Sequence, residues 1–114
     1  MLPRRNRLSR KNDLAKICRQ KKSIKQGCLL LKYRENELTA VRMAFVVARK
    51  VAIRASKRNL IKRRLRNAAQ SLLNRCKTGI DIVFFALAGI EKKNFAEIKK
   101  NLKEILFQAG VLNK

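Results

Sequence analysis

The chain has 114 residues, the length of one compact domain, and its 46% apolar content supports a real core. Thirty Lys and Arg stand against seven Asp and Glu, a formal charge of +23, which points to a polyanion or an anionic membrane surface as partner. Cys18, Cys28 and Cys76 are odd in number and widely spaced, with no CxxC pair and no His; this excludes the common Cys/His zinc patterns, argues against a disulfide framework and fits a reducing, cytoplasmic compartment.

Residues 1–11 are basic, contain Pro3 and read as a mobile or partner-ordered arm. They run into no apolar segment, so they are not a secretory signal. A short helix is predicted from Asn12 to Arg19, because Leu14, Ile17 and Cys18 stack at i, i+3, i+4. Gly27 introduces a strand, GCLLLKYRE, with room for another short one near Lys22–Ile24. A turn at Glu35-Asn36-Glu37 leads into LTAVRMAFVVA at 38–48, where Val41, Met43, Phe45 and Val47 alternate with Arg42, Ala44 and Val46. The two longer runs read as a hairpin with a slightly extended loop.

Ser56 is expected to N-cap a long helix reaching about Arg75. Ile61, Leu65, Ala68, Ala69, Leu72 and Cys76 share one face of it, and Thr78-Gly79 ends it. GIDIVFFALA then has the apolar density of a buried strand, parallel to the strand before the helix. The longest apolar run, IVFFALAGI at 82–90, is too short to span a bilayer. Asn94 and Glu97 form a capped start for a last helix, with Phe95, Ile98, Leu102, Ile105 and Ala109 as its core stripe and Gly110 as its stop. The fold class is α+β, a small α/β sandwich of order α-β-β(-β)-α-β-α with one βαβ crossover, right-handed by default. The expected organisation is an arm at 1–11, a single α/β domain at 12–110 and a tail at 111–114.

The charge is concentrated. Residues 1–34 and 35–78 carry twelve basic groups each, against one and two acids, while residues 79–114 carry six against four. The densest stretch, RKVAIRASKRNLIKRRLR at 49–66, has nine cations and no acid in eighteen residues. On the long helix Arg58, Lys62 and Arg66 fall at i, i+4, i+8 and form one row beside the apolar face; Asn59 and Arg63 form the next. The step of roughly 6 Å between such side chains is comparable with phosphate spacing in RNA. Arg grips a phosphate with two parallel donors, whereas Lys acts as a point charge. Lys57 and Arg58 lie in the first turn, where the helix dipole disfavours cations by ~0.3–1 kcal/mol each. A phosphate at Ser56–Asn59, bound partly by free first-turn amides, relieves that cost. A solvated helix face is the bland reading, and an eighteen-residue stretch without an acid opposes it.

Enzymatic readings fare poorly. With no His there is no imidazole base and no partner for a Ser or Cys nucleophile. The carboxylates are scattered, so sequence neighbours cannot assemble a Mg²⁺ cluster. By residue chemistry alone this is a polyanion-binding protein.

The segment VVARKVAIRASKRNLIKRRLR resembles the signature of the bacterial ribonuclease P protein subunit, R-N-R-x-K-R-x-x-R on the long helix. Arg58, Asn59, Lys62, Arg63 and Arg66 match it, and Leu60 replaces an Arg. RNRL at 5–8, Ser23 before the first long strand, R-x-A-F-x-V at 42–47, the GIDIVFFA strand and the closing helix extend the likeness over residues 5–110. The resemblance implies a left-handed crossover in place of the default. It implies that an RNA subunit carries catalytic Mg²⁺ and removes the 5′ leader from precursor tRNA, and that the protein is not catalytic by itself. Lys57, Arg58, Asn59, Lys62, Arg63 and Arg66 would then face the RNA subunit. Ser23, Tyr33, Phe45, Leu14 and Cys18 would lie at a leader cleft between the sheet and the first helix. Many family members carry two Phe on that helix where Leu14 and Cys18 stand here. Aromatic stacking contributes ~1–3 kcal/mol per base, so leader affinity would rest more on Tyr33, Phe45 and the basic rim. Tyr33 fits a half-buried strand tyrosine equally well, and Leu14 and Cys18 fit a core role better than a contact role.

The alternative is a basic ribosomal protein binding structured rRNA with no leader cleft. DNA binding is disfavoured because no helix-turn-helix pair is present, and membrane binding because the apolar face of the basic helix has no Trp or Phe anchor. No exposed apolar stripe calls for a dimer, so the expected state is a monomer within a ribonucleoprotein.

Overall fold

The structure, a computed structural model, describes residues 6–8, 11–19, 23–36 and 40–112. Helices and strands follow in the order α1 (Lys11–Cys18), β1 (Ile24–Gln26), β2 (Leu29–Glu35), β3 (Val41–Val47), α2 (Ala55–Gln70), β4 (Ile80–Ala86) and α3 (Phe95–Gln108). This is the expected α+β order, with the extra short strand present as β1. Lys22 and Glu37, which the sequence assigns to a strand start and a turn, lie outside the described residues, as do 1–5, 9–10 and 113–114 of the arm and tail.

The four strands form one mixed sheet of order β1-β2-β4-β3. The expected hairpin of β2 with β3 is not made. Those two strands run antiparallel, but β4 lies between them, antiparallel to β2 from Leu29↔Ala86 to Glu35↔Ile80 and parallel to β3 from Val41↔Ile80 to Val47↔Ala86. The wedge begins at Gly79, whose carbonyl accepts from Asn36 N at 2.8 Å and whose N–H donates to Ala40 O at 3.2 Å. A central strand must be covered on both faces, and β4 is the strand whose side chains allow it: Ile82, Val83 and Phe84 are all fully buried. The true hairpin is β1 with β2, turning at Gly27, whose φ of +58° suits glycine.

Strand parity sorts the side chains into two layers. Leu29 and Leu31, Val41, Met43, Phe45 and Val47, and Ile82, Phe84 and Ala86 point into the main core with α2 and α3. On the opposite face Val83 packs with Leu8 and Ile17, bordered by Leu14, Ala44 and Phe85. That second, smaller cluster is where α1 lies.

On α2, Ile61, Leu65, Ala68 and Ala69 are buried as expected, but the ends differ from expectation. The helix begins at Ala55 after Arg54, which makes no side-chain cap, so Ser56 is an exposed first-turn residue and not the cap. It stops at Gln70, and a 3₁₀ turn at Leu73–Arg75 carries the buried face on through Leu72 and Cys76. On α3 the Asn94–Glu97 capping box forms as expected. Ile98, Leu102 and Ile105 are buried together with Leu106, while Phe95 is 44% exposed and stands outside the stripe.

Two stretches beyond residues 12–110 pack on this unit. Arg7 bridges Met43 in parallel, Leu8 N donates to Met43 O at 2.9 Å, and Asn6 Nδ2 donates to Val41 O at 2.7 Å. Residues 6–8 therefore cover the free edge of β3. At the other end Val111 and Leu112 are buried, and Leu112 bridges Cys76.

Candidate nucleic-acid interface

The buried residues of α2 fix the direction of its cations. Arg64 turns toward α3, its NH1 donating to Lys93 O at 3.4 Å. The row Arg58, Lys62 and Arg66 lies on the opposite flank and is half-buried against the body, while Asn59 and Arg63 project fully outward. All five residues of the helix pattern thus share one broad surface turned away from α3, and Lys57 is exposed at its start. No acid sits on α2, so nothing along the helix neutralises them.

Arg58 has a second occupation. Its NH1 donates to the carbonyls of Ala52 at 2.9 Å and Ile53 at 2.6 Å, folding the guanidinium back onto the loop before the helix. The sequence pattern reads Arg58 only as a phosphate ligand. The structure adds a brace on residues 52–53.

The face of the sheet beside α1 contains only part of the expected cleft set. Leu14 is half-buried on the second cluster, Cys18 is exposed at the end of α1, and Ser23 is exposed just before β1. Tyr33 and Phe45 are not with them. Both are on the odd-numbered face of their strands and pack into the main core, where Phe45 is buried and stacks on Phe84 with ring centroids 5.2 Å apart. Their assignment to a cleft with α1 is corrected: an alternating strand sends its two side-chain sets to opposite faces, and α1 covers the other one.

The residues on the α1 side are Leu30, Lys32 and Arg34 of β2, Arg42, Ala44 and Val46 of β3, and Asp81, Val83 and Phe85 of β4. Lys32 Nζ donates to Cys18 O at 3.1 Å and lies 5.9 Å from the centroid of the Phe85 ring. Leu30, Phe85 and Val46 form one cross-strand row, half-buried to exposed, at the end of the sheet where β3 leaves for the α2 loop. Phe85, Lys32 and Val46 stand on the sheet face beside α1, and sequence reasoning did not name them. Strand alternation was a signal for them, once the face belonging to α1 is known.

At the far end of the same face Asp81 is buried and held by Arg42 and Asn36. Among the described residues no group of three or more His, Cys, Asp or Glu is arranged to hold a metal ion, and no helix is long and apolar enough to cross a membrane.

Comparison with known proteins places this geometry in a family. The family model for ribonuclease P matches residues 2–110. The ribonuclease P protein component of Pseudanabaena sp. is 37% identical over 114 residues, covering 99% of this chain and 98% of the relative. That of Syntrophomonas wolfei is 31% identical over 111 residues, covering 97% and 92%. The fold matches the ribonuclease P protein of Staphylococcus aureus with a TM-score of 0.85 at 23% identity, covering 95% of this chain and 98% of that one. It matches that of Thermotoga maritima at 0.80 and 24%, covering 90% and 96%. The family match takes the place of the ribosomal alternative: this chain belongs to the bacterial ribonuclease P protein family, whose work is tRNA processing.

Proposed function

We propose that the chain binds the catalytic RNA of ribonuclease P through the outer flank of α2, and holds the 5′ leader of precursor tRNA on the sheet face beside α1. In this way it assists the Mg²⁺-dependent endonucleolytic cut that produces the mature tRNA 5′ end. The observation that carries the reading is the shared flank of the acid-free helix α2 formed by Arg58, Asn59, Lys62, Arg63 and Arg66, with Lys57 at its start. Cations packed at helical spacing repel one another, and phosphates relieve that repulsion while releasing counterions.

The leader would run beside Ser23, Leu14 and Cys18, over Lys32, Phe85 and Val46. Phe85 supplies the aromatic surface in place of the Tyr33 and Phe45 rings, which face the core. Lys32 supplies a cation beside it. Single-strand binding needs this combination of a stacking surface and a positive rim.

The hydrolytic chemistry is assigned to the RNA. Among the described residues no group of three or more carboxylates is gathered to hold Mg²⁺, an ion bound through carboxylates, substrate phosphates and water. Asp81, the buried carboxylate, is engaged on both oxygens by Arg42 and on one by Asn36. In this reading the metal ions at the cut are held mainly by the RNA subunit, and the protein alone is not expected to cleave. The site of action is cytoplasmic, where precursor tRNA is made in bacteria, and the chain acts as a monomer within the ribonucleoprotein. The test is precursor-tRNA cleavage by a bacterial ribonuclease P RNA at limiting Mg²⁺, with and without this chain.

A further inference from the structure

The loop between β3 and α2 carries the most exposed large apolar residue among those described. Ile53 is 80% exposed, although its neighbours Ala52 and Val51 are buried and half-buried. Around it stand four exposed cations, Arg49, Lys50, Arg54 and Lys57, with no acid between residues 49 and 66. A single exposed aliphatic residue is ordinary by itself. This one is held in position: Arg58 NH1 grips the carbonyls of Ala52 and Ile53, and Val51 N and Ala52 N close back onto Ala48 O at 3.0 and 3.3 Å. The loop is also continuous with the proposed leader face, since it leaves β3 directly after the Leu30–Phe85–Val46 row.

From this arrangement we infer that the 49–54 loop is a separate RNA contact, in which Ile53 packs on an unpaired base or ribose of the ribonuclease P RNA. Arg49, Lys50, Arg54 and Lys57 neutralise the phosphates on either side. The inference rests on the RNA-binding function proposed above and names a further surface for it. Charge complementarity selects the partner: four exposed cations in a stretch of chain without acids repel a basic protein surface and attract nucleic acid. RNA is suited to the apolar centre as well, because its unstacked bases present flat faces that apolar side chains can cover. Arg58 is then a positioning residue for the loop in addition to its place in the α2 row.

Apolar and ionic interactions separate cleanly by salt. Covering an aliphatic side chain releases no counterions, so removing that side chain lowers affinity at every salt concentration without changing the log–log slope. The experiment measures binding of the full chain to a bacterial ribonuclease P RNA transcript across a salt series, for wild type, Ile53→Ser, Arg54→Ala, Arg58→Ala and the double variant Ile53→Ser/Arg58→Ala. Ile53→Ser should weaken binding about three- to tenfold at unchanged slope, and Arg54→Ala should flatten the slope by about 0.7 to 0.9. In the Arg58→Ala background, where the loop is released, Ile53→Ser should have less than half its effect, as coupled residues do in a double-mutant cycle. Because Ile53 is exposed, its Ser variant keeps the wild-type melting curve. Wild-type binding with a steep slope but undiminished affinity in Ile53→Ser overturns the loop contact and leaves the α2 interface standing. Failure of the wild-type chain to bind the RNA overturns both.

Discussion

Lys32 reaches from β2 to the last turn of α1, where its Nζ donates to the Cys18 carbonyl at 3.1 Å. The same ammonium lies 5.9 Å from the Phe85 ring centroid. One side chain thus ties the helix C-terminus, where cations are favoured, to the aromatic floor of the proposed leader surface.

If Lys32 sets the spacing of α1 above the sheet, Lys32→Met should weaken binding of precursor tRNA about two- to fivefold, the scale of one exposed charge-assisted hydrogen bond. Binding of mature tRNA, which lacks a leader, should be unchanged. Equal losses of affinity for both tRNAs would remove Lys32 from the leader surface.

The α2 row makes a prediction about salt. Lys62→Ala with Arg66→Ala should weaken binding to the RNA subunit and flatten the log–log salt slope by about one to two units, since each variant leaves one RNA phosphate without its cation. The Glu104→Gln variant, on α3 and outside the row, is the matched control and should leave the slope alone. A slope unchanged in the α2 double variant would take those residues out of the interface.

Much of this proposed interface was legible in the sequence, because it depends on local periodicity. A helix repeats every 3.6 residues, so the sharing of a flank by Arg58, Lys62 and Arg66 follows from spacing alone. The Asn94–Glu97 cap was readable for the same reason: both partners lie within one turn. What failed was non-local. The turn near Asn36 looks like a hairpin because nothing nearby announces that Gly79 and β4, more than forty residues later in the chain, enter its mouth. Tyr33 and Phe45 were assigned to the α1 side because alternation defines two faces without naming which one a distant helix covers. Arg58 shows the opposite case, a residue identified by its motif whose grip on Ala52 and Ile53 no motif records.

The Asp81–Arg42 pair offers a test of the sheet topology. Arg42 Nε and NH2 meet Asp81 Oδ1 and Oδ2 at 2.7 and 2.6 Å across β3 and β4, and Asn36 Nδ2 donates to Oδ1 at 2.7 Å from the end of β2. Removing one partner of a buried pair leaves the other charge uncompensated. Arg42→Met should therefore cost on the order of 3 kcal/mol in denaturant unfolding. A change below about 0.5 kcal/mol, the range of ordinary surface substitutions, would mean that the two strands are not paired as described.

Cys76 provides a pH-dependent prediction. Burial pushes its thiol up to about 11 from the ordinary 9.0, with the nearby Arg75 opposing the shift, and its Sγ donates to Leu72 O at 3.3 Å. The folded state therefore retains the proton where the unfolded state has lost it. The stabilisation is fully present below pH 9.0 and is lost as pH rises to about 11. Relative to Cys76→Val, the wild type should lose stability across that window by up to ~1.4 kcal/mol per pH unit. At neutral pH a thiol reagent should label exposed Cys18 first and reach Cys76 only on unfolding. Parallel stability curves for the two proteins above pH 9 would contradict the burial of this thiol.

Whether this chain assists an RNA catalyst is tested most directly by precursor-tRNA cleavage with a bacterial ribonuclease P RNA, at Mg²⁺ too low for the RNA to work well alone. Strong stimulation is predicted when the chain is added, together with no cleavage by the protein by itself. RNA that cleaves at the same rate with and without the chain, despite binding it, would contradict the assignment.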